Sequence, residues 1–421
     1  MKNLKTRLAL MNFLEFAVWG AYLTCMGRYL GNIGVGTEIG YFYSMQGVVS
    51  IFMPAVIGIV ADRWIPAQKM LGICHLVAAV FMILTAWYGA TAEGGVDFAT
   101  IFSLYSLSVA FYMPTIALSN SVAYTALRQA GMDTVKDFPP IRVFGTVGFI
   151  LTMWFVDIMG FQTNHWQFVT SAVIGIVLFL YSFTLPQCPV AKGDEHRSLS
   201  EAFGLQAFTL FRQKQMALFF IFSMLLGISL QITNGYANPF ISSFASEPEF
   251  ADTFGVQHAN ILISLSQISE TLCILLIPFC MKRFGIKNVM LISMLAWVLR
   301  FGLFSVGDPG SGVWMFILSM IVYGVAFDFF NVSGSLFVDQ NTTPEIRSSA
   351  QGLFMLMTNG IGGTIGVIAA QQLINAYTHG MKIGDQFYTV GEWSTCWFIF
   401  SAYALVVGLV FALVFHPQKL K

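Results

Sequence analysis

The sequence predicts an all-α membrane protein of twelve transmembrane helices in two six-helix halves. Three observations predict it. Of the 421 residues, 56% are hydrophobic and only 10% are charged, against about 25% charged in a typical soluble domain. Apolar runs of membrane-spanning length recur along the whole chain. The Lys and Arg residues between those runs concentrate in every second loop, and so on one side.

A span needs roughly 20 predominantly apolar residues. Such runs cover 8–30, 39–61, 68–90, 98–127, 139–160 and 166–186 in the first half. In the second half they cover 215–244, 257–281, 288–306, 312–338, 348–377 and 393–415. The first run follows a basic N-terminus but contains Glu15 and has no A-x-A-like cleavage site, so it reads as a retained helix rather than a signal peptide. The predicted organisation is an N-terminal half, 1–186, a cytoplasmic linker, 187–214, and a C-terminal half, 215–421.

Charge sets the orientation. With the N-terminus in the cytoplasm, seventeen Lys and Arg fall on that side, among them Lys5, Arg63, Lys192, Arg197, Lys282 and Arg347; only Arg28 and Lys382 fall opposite. Cationic loops stay on the cytoplasmic side. Both termini are therefore expected in the cytoplasm, and the helix count is expected to be even.

The halves echo one another. The segment Asp62–Leu71 resembles Lys282–Leu291, "SNS" at Ser119 resembles "SGS" at Ser333, and "PPIR" at Pro139 resembles "PEIR" at Pro344. Parallel duplicated halves are a transporter architecture, with the substrate site between them near the bilayer midplane.

Other classes are excluded by what the sequence lacks. Formal net charge is zero, so nothing argues for nucleic-acid binding. Cys25, Cys74, Cys188, Cys273, Cys280 and Cys396 form no CxxC and have no His at metal-ligand spacing, so neither a disulfide framework nor a metal site is expected. The six His are scattered and are not expected to be ligands. HExxH, GxSxG and P-loop motifs are absent, which argues against a protease, a hydrolase and an ATP-driven pump. Neither an enzyme activity nor a cofactor is expected.

Glu15, Glu270, Arg300 and Asp328 stand inside predicted helices, and Arg142 lies close to the start of the fifth. A charge at the bilayer centre costs at least about 2.5–3.5 kcal/mol on insertion scales. Each such group faces a cavity, pairs structurally, or snorkels from a helix end; Arg300 fits the last two best. Residues three or four apart share a helix face. Arg142, Thr146 and Phe149 then form one stripe. Gln231 pairs with Asn234, Gln267 with Glu270, and Tyr323 with Phe327, with Asp328 beside them. These groups suit a small, flat, polar ligand, with rings to stack on and carboxylate and amides for hydroxyls and base edges.

These residues lie in segments that resemble the nucleoside:proton symporters of the major facilitator superfamily, the bacterial nucleoside permeases. The carrying segments are "FPPIRVFGTVGFI", "FFIFSMLLGISLQITN", "SQISETLCILLIPF" and "LSMIVYGVAFDFFNVSGSLFV". "GIVADRW" also looks like the superfamily's gating motif, though "IPAQK" replaces the usual glycine and basic run. The resemblance implies a major facilitator fold and import of nucleosides such as uridine or adenosine with protons, by a monomer in the lipid of the bacterial inner membrane. It implies that Arg142, Thr146, Phe149, Gln231, Asn234, Gln267, Glu270, Tyr323 and Phe327 contact substrate. A carboxylate in a partly desolvated cavity is pushed toward protonation at working pH, so Asp328 and Glu270 are the expected proton-coupling residues. Asp328 is assigned the proton and Glu270 the sugar hydroxyls, and Arg142 is expected to pair with Asp328 in one state. The rival readings are a carrier of the same fold for a sugar or nucleobase, and a receptor that binds without transporting.

Overall fold

The computed structural model describes residues 3–92, 95–189, 205–343 and 346–416. Part of the predicted linker, with Lys192 and Arg197, lies outside the described residues, as do Pro344 and Glu345 and the side chains of Asp62, Arg63 and Arg347. The protein is an all-α membrane protein. Among the described residues, nine helical stretches are long and apolar enough to cross a membrane.

The first part of the chain forms α1 (Leu4–Gly20), α2 (Met26–Asn32), α3 (Ile39–Arg63), α4 (Ala67–Thr91), α5 (Phe98–Gln129), α6 (Thr134–Ile158) and α7 (Trp166–Ser182). The run at 8–30 is thus split by a turn at 21–25. Helix α5 starts at Asp97, whose carboxylate accepts from Thr100 N (2.8 Å) and Thr100 Oγ1 (2.7 Å). Those two donors hold the exposed Asp97 carboxyl below the usual carboxylate range.

The second part forms α8 (Lys214–Leu230), α9 (Ile232–Ser243), α10 (Phe254–Gln257), α11 (Ala259–Val306), α12 (Val313–Gln340), α13 (Arg347–Met355), a π-helical stretch at Leu356–Gly362, α14 (Gly363–Tyr377) and α15 (Trp393–Val414). Two predicted spans, 257–281 and 288–306, fall on either side of Gly285 within the range labelled α11, where φ 76° and ψ 165° are non-helical and separate two helices at a sharp kink. Only glycine adopts that backbone readily, so the chain turns from one helix to the next at Gly285, inside the cationic "KRFGIKN" segment. Between the last two predicted spans, the chain forms an antiparallel hairpin of β1 (Thr378–Ile383) and β2 (Gln386–Gly391).

The chain divides into two compact units, Met1–Glu38 with Val48–His196, and Ile39–Gly47 with Arg197–Lys421. The first has a core of aliphatic residues, including Leu8, Leu71, Val122, Ile141 and Leu178. The second spends many of its Phe residues internally. Phe240 packs against Phe304, Phe316 and Trp397 at centroid distances of 5.4–5.6 Å.

Candidate substrate and proton site

In the first unit, α6 lies hard against α1. A Cβ added at Gly20 would run into the Phe149 carbonyl, and one at Gly148 into the Phe13 carbonyl. That approach sets the stripe predicted on α6. Arg142 and Thr146 are half-buried and Phe149 is buried, whereas Val143, Phe144 and Val147 are exposed. The Arg142 guanidinium carbon sits 3.8 Å from the Phe16 ring centroid. Phe149 meets Trp19 edge-on at 6.3 Å.

In the second unit, the run at 215–244 breaks at Gln231, the residue between α8 and α9. At that break Asn234 Nδ2 donates to Gln231 Oε1 at 3.0 Å, so the predicted pair is real. A discontinuous spanning helix exposes backbone and amide groups at membrane depth, a recurrent device of transporter binding sites. On α11, Gln267 and Glu270 are both half-buried. On α12, Tyr323 and Phe327 stack at 5.6 Å with rings 15° apart.

Asp328 is 4% exposed. Its Oδ2 has no hydrogen-bond partner among the described residues, and it interacts electrostatically with Glu270. An ionised carboxylate so placed is costly; a bound proton removes the charge. The unit therefore places Asp328 in electrostatic reach of Glu270 and on the same helix as the stacked aromatic pair.

Arg300 shows neither outcome expected of it among the described residues, a structural ion pair or a snorkelling helix end. It is 1% exposed, with its guanidinium carbon 4.5 Å from the Tyr323 ring centroid. Glu15 is also inside. Its Oε2 lies 2.7 Å from His75 Nε2, both side chains being fully inaccessible, and Thr115 Oγ1 donates to its Oε1 at 2.5 Å. Tyr112 OH donates to the Glu15 backbone carbonyl at 2.9 Å. No sequence signal marks this role of His75, a lone His in an apolar run 60 residues from its partner. No cluster of three or more metal-ligating side chains occurs among the described residues.

Comparison with known proteins decides what these groups belong to. The family model for the nucleoside H+ symporter matches residues 1–420. The chain belongs to that family. It is 46% identical to nucleoside permease NupG of Escherichia coli K12, an alignment covering all of this chain and 97% of that one. It is 44% identical to the xanthosine permease of the same organism, covering all of this chain and 98% of that one. The crystal structure of the nucleoside transporter NupG superposes with a TM-score of 0.88 at 45% identity, covering 99% of this chain and 100% of that one. A xylose transporter from E. coli matches at 0.62 with 13% identity and shares the fold alone. The symporter family assignment and these matches give the chain the major facilitator fold and make it a transporter rather than an enzyme.

Proposed function

We propose that the protein imports nucleosides together with protons across the bacterial inner membrane, working by alternating access as a monomer. Asp328 takes the proton. Glu270 accepts hydrogen bonds from the ribose hydroxyls, with Gln267 one turn earlier on the same face. Tyr323 and Phe327 stack on the base, and Gln231 and Asn234 meet its polar edge. Arg142, Thr146 and Phe149 also contact the substrate. What carries this reading is Asp328, a carboxylate buried with an oxygen unsatisfied, in the same unit as an aromatic stack and a second carboxylate. Both termini and the 187–214 linker are cytoplasmic, on the charge asymmetry of the loops. A Cys introduced at Ser198 should therefore resist impermeant thiol reagents in intact cells.

The test is a substrate panel on purified protein in sealed vesicles with an imposed pH gradient, using uridine, adenosine, xanthosine, uracil and ribose. Uridine and adenosine should accumulate, and an uncoupler should abolish the accumulation. Movement of ribose or uracil in their place would assign the protein to another solute, and binding without accumulation would make it a receptor. The ribose role has its own measurement. Glu270→Gln should weaken uridine binding about tenfold or more, since bonds from the ribose hydroxyls to a charged acceptor contribute roughly 1.5–3 kcal/mol each against about 1 kcal/mol for a neutral one, and about 1.4 kcal/mol is a factor of ten. Calorimetry with uridine and a deoxyribose analogue reads this, and an equal loss for both ligands would remove Glu270 from the sugar.

A further inference from the structure

His75 has a second nitrogen that its contact with Glu15 does not use. The side chain is fully inaccessible, and its Nδ1 has no hydrogen-bond partner among the described residues. Charge decides what that nitrogen carries. A buried net charge is costly, so the Glu15–His75 pair is held at zero net charge. Two arrangements meet that condition, carboxylate with imidazolium and carboxylic acid with neutral imidazole. In both, the proton shared with Glu15 lies on the Nε2 side and Nδ1 carries a hydrogen. Nδ1–H is therefore a buried donor in need of an acceptor.

Beside it lies a cavity of about 10 Å³, room for about one water. Helices α1, α4, α5 and α7 wall it, and its lining includes His75, Ser108, Tyr112, Ser171 and Gly175. The three hydroxyls have their own hydrogens committed. Ser108 Oγ donates to the Ala78 carbonyl at 2.7 Å, Ser171 Oγ to the Val18 carbonyl at 2.8 Å, and Tyr112 OH to the Glu15 carbonyl at 2.9 Å. Their oxygens are left as acceptors. The wall thus offers one donor and several acceptors, and its complement is a molecule that accepts once and donates twice. We propose that this cavity is the binding site of a single water, which accepts from His75 Nδ1–H and donates to the Ser108 and Ser171 hydroxyls. About three hydrogen bonds is the usual number for a buried water. A metal cation of similar size is the wrong occupant, because Nδ1 would turn its hydrogen toward the charge. The water ties α4, α5 and α7 beside the point where Glu15 ties α1, α4 and α5.

Gly175 leaves the room for it. A Cβ added there would sit 3.5 Å from Ala79 Cβ, 3.5 Å from the His75 carbonyl oxygen and 3.9 Å from His75 Nδ1. These are ordinary contacts, so Gly175→Ala enters the cavity without a clash. Filling an apolar void with a methyl group stabilises, and alanine is the better helix former. Displacing a bound water instead strands Nδ1–H. Gly175→Ser tells the two apart, since an Oγ on that Cβ can reach Nδ1 and stand in for the water. Thermal unfolding of purified wild type, Gly175→Ala and Gly175→Ser makes the comparison. Gly175→Ala should melt below wild type by at least a few degrees, and Gly175→Ser should melt above Gly175→Ala. Alanine equal to or above wild type, or serine equal to or below alanine, overturns the water site. A crystal structure of the wild type that resolves ordered waters gives a second reading, and it decides alone if neither variant folds. Density within hydrogen-bond distance of His75 Nδ1 and of the Ser108 and Ser171 hydroxyls supports the site, and well-ordered side chains around a dry cavity overturn it.

Discussion

Glu15 and Asp328 are both carboxylates in apolar helices, one in each unit, and both are buried, at 0% and 4% exposure. Their surroundings differ. Glu15 has His75 on one oxygen and Thr115 on the other, so α1, α4 and α5 are tied through a single group. A carboxylate–imidazole pair is neutral when it holds one proton, and either gaining or losing a proton there buries a net charge. Asp328 has an oxygen that nothing satisfies among the described residues. Burial alone therefore does not mark a working carboxylate. On the reading proposed above, the satisfied one holds helices together and the unsatisfied one exchanges the proton.

The contrast can be broken from either side. The largest effect is expected on transport. Asp328→Asn should reduce pH-gradient-driven uridine accumulation to background, with thermal stability unchanged or higher, because a costly buried group is gone. Loss of folding in that variant would place Asp328 with Glu15 as a structural group. Next comes stability without transport. Glu15→Ala strips His75 of its partner, and breaking a buried pair costs about 3–5 kcal/mol. A large fall in melting temperature should appear, while the protein that remains folded keeps wild-type pH dependence; a shifted pH profile would make Glu15 a proton carrier. Thr115→Val keeps the shape and removes the hydroxyl from Glu15 Oε1. It should destabilise by about 1–3 kcal/mol, and a neutral result would mean Thr115 contributes nothing to the staple. Smallest is Glu15→Gln, which retains a hydrogen-bonding side chain toward His75 and Thr115. A loss of about 1 kcal/mol is expected, and a loss as large as that of Glu15→Ala would show that charge, not hydrogen bonding, secures the helices.

Much of this was legible in the sequence for a physical reason. Hydrocarbon penalises charge so steeply that Glu15, Glu270, Arg300 and Asp328 stand out in their runs, and the 3.6-residue period places Gln231 with Asn234 and Tyr323 with Phe327. The pairing of Gln231 and Asn234 and the ring stack both occur in the fold. What stayed hidden depends on distance or on backbone detail. His75 meets Glu15 across 60 residues, and no local pattern links them. The break at Gln231 lies in an apolar run whose one proline, Pro239, comes eight residues after it. Arg300 sits near a predicted helix end, where snorkelling is the ordinary outcome, yet α12 folds over it through Ser319 and Tyr323. The hairpin at Thr378–Gly391 did carry a signal, since Gly384 and Asp385 interrupt two short stretches at a turn; Gly384 has φ 63°, as tight hairpin turns require.

One measurement bears most directly on the claim that Asp328, and not Glu15, exchanges the transported proton. Purified wild type, Asp328→Asn and Glu15→Gln are placed in vesicles loaded with a pH-sensitive dye, without an imposed gradient, and uridine is added outside. Wild type and Glu15→Gln should acidify the vesicle interior as uridine enters. Asp328→Asn should admit uridine, if at all, with no acidification. Proton movement with uridine in Asp328→Asn, or its loss in folded Glu15→Gln, would contradict the account.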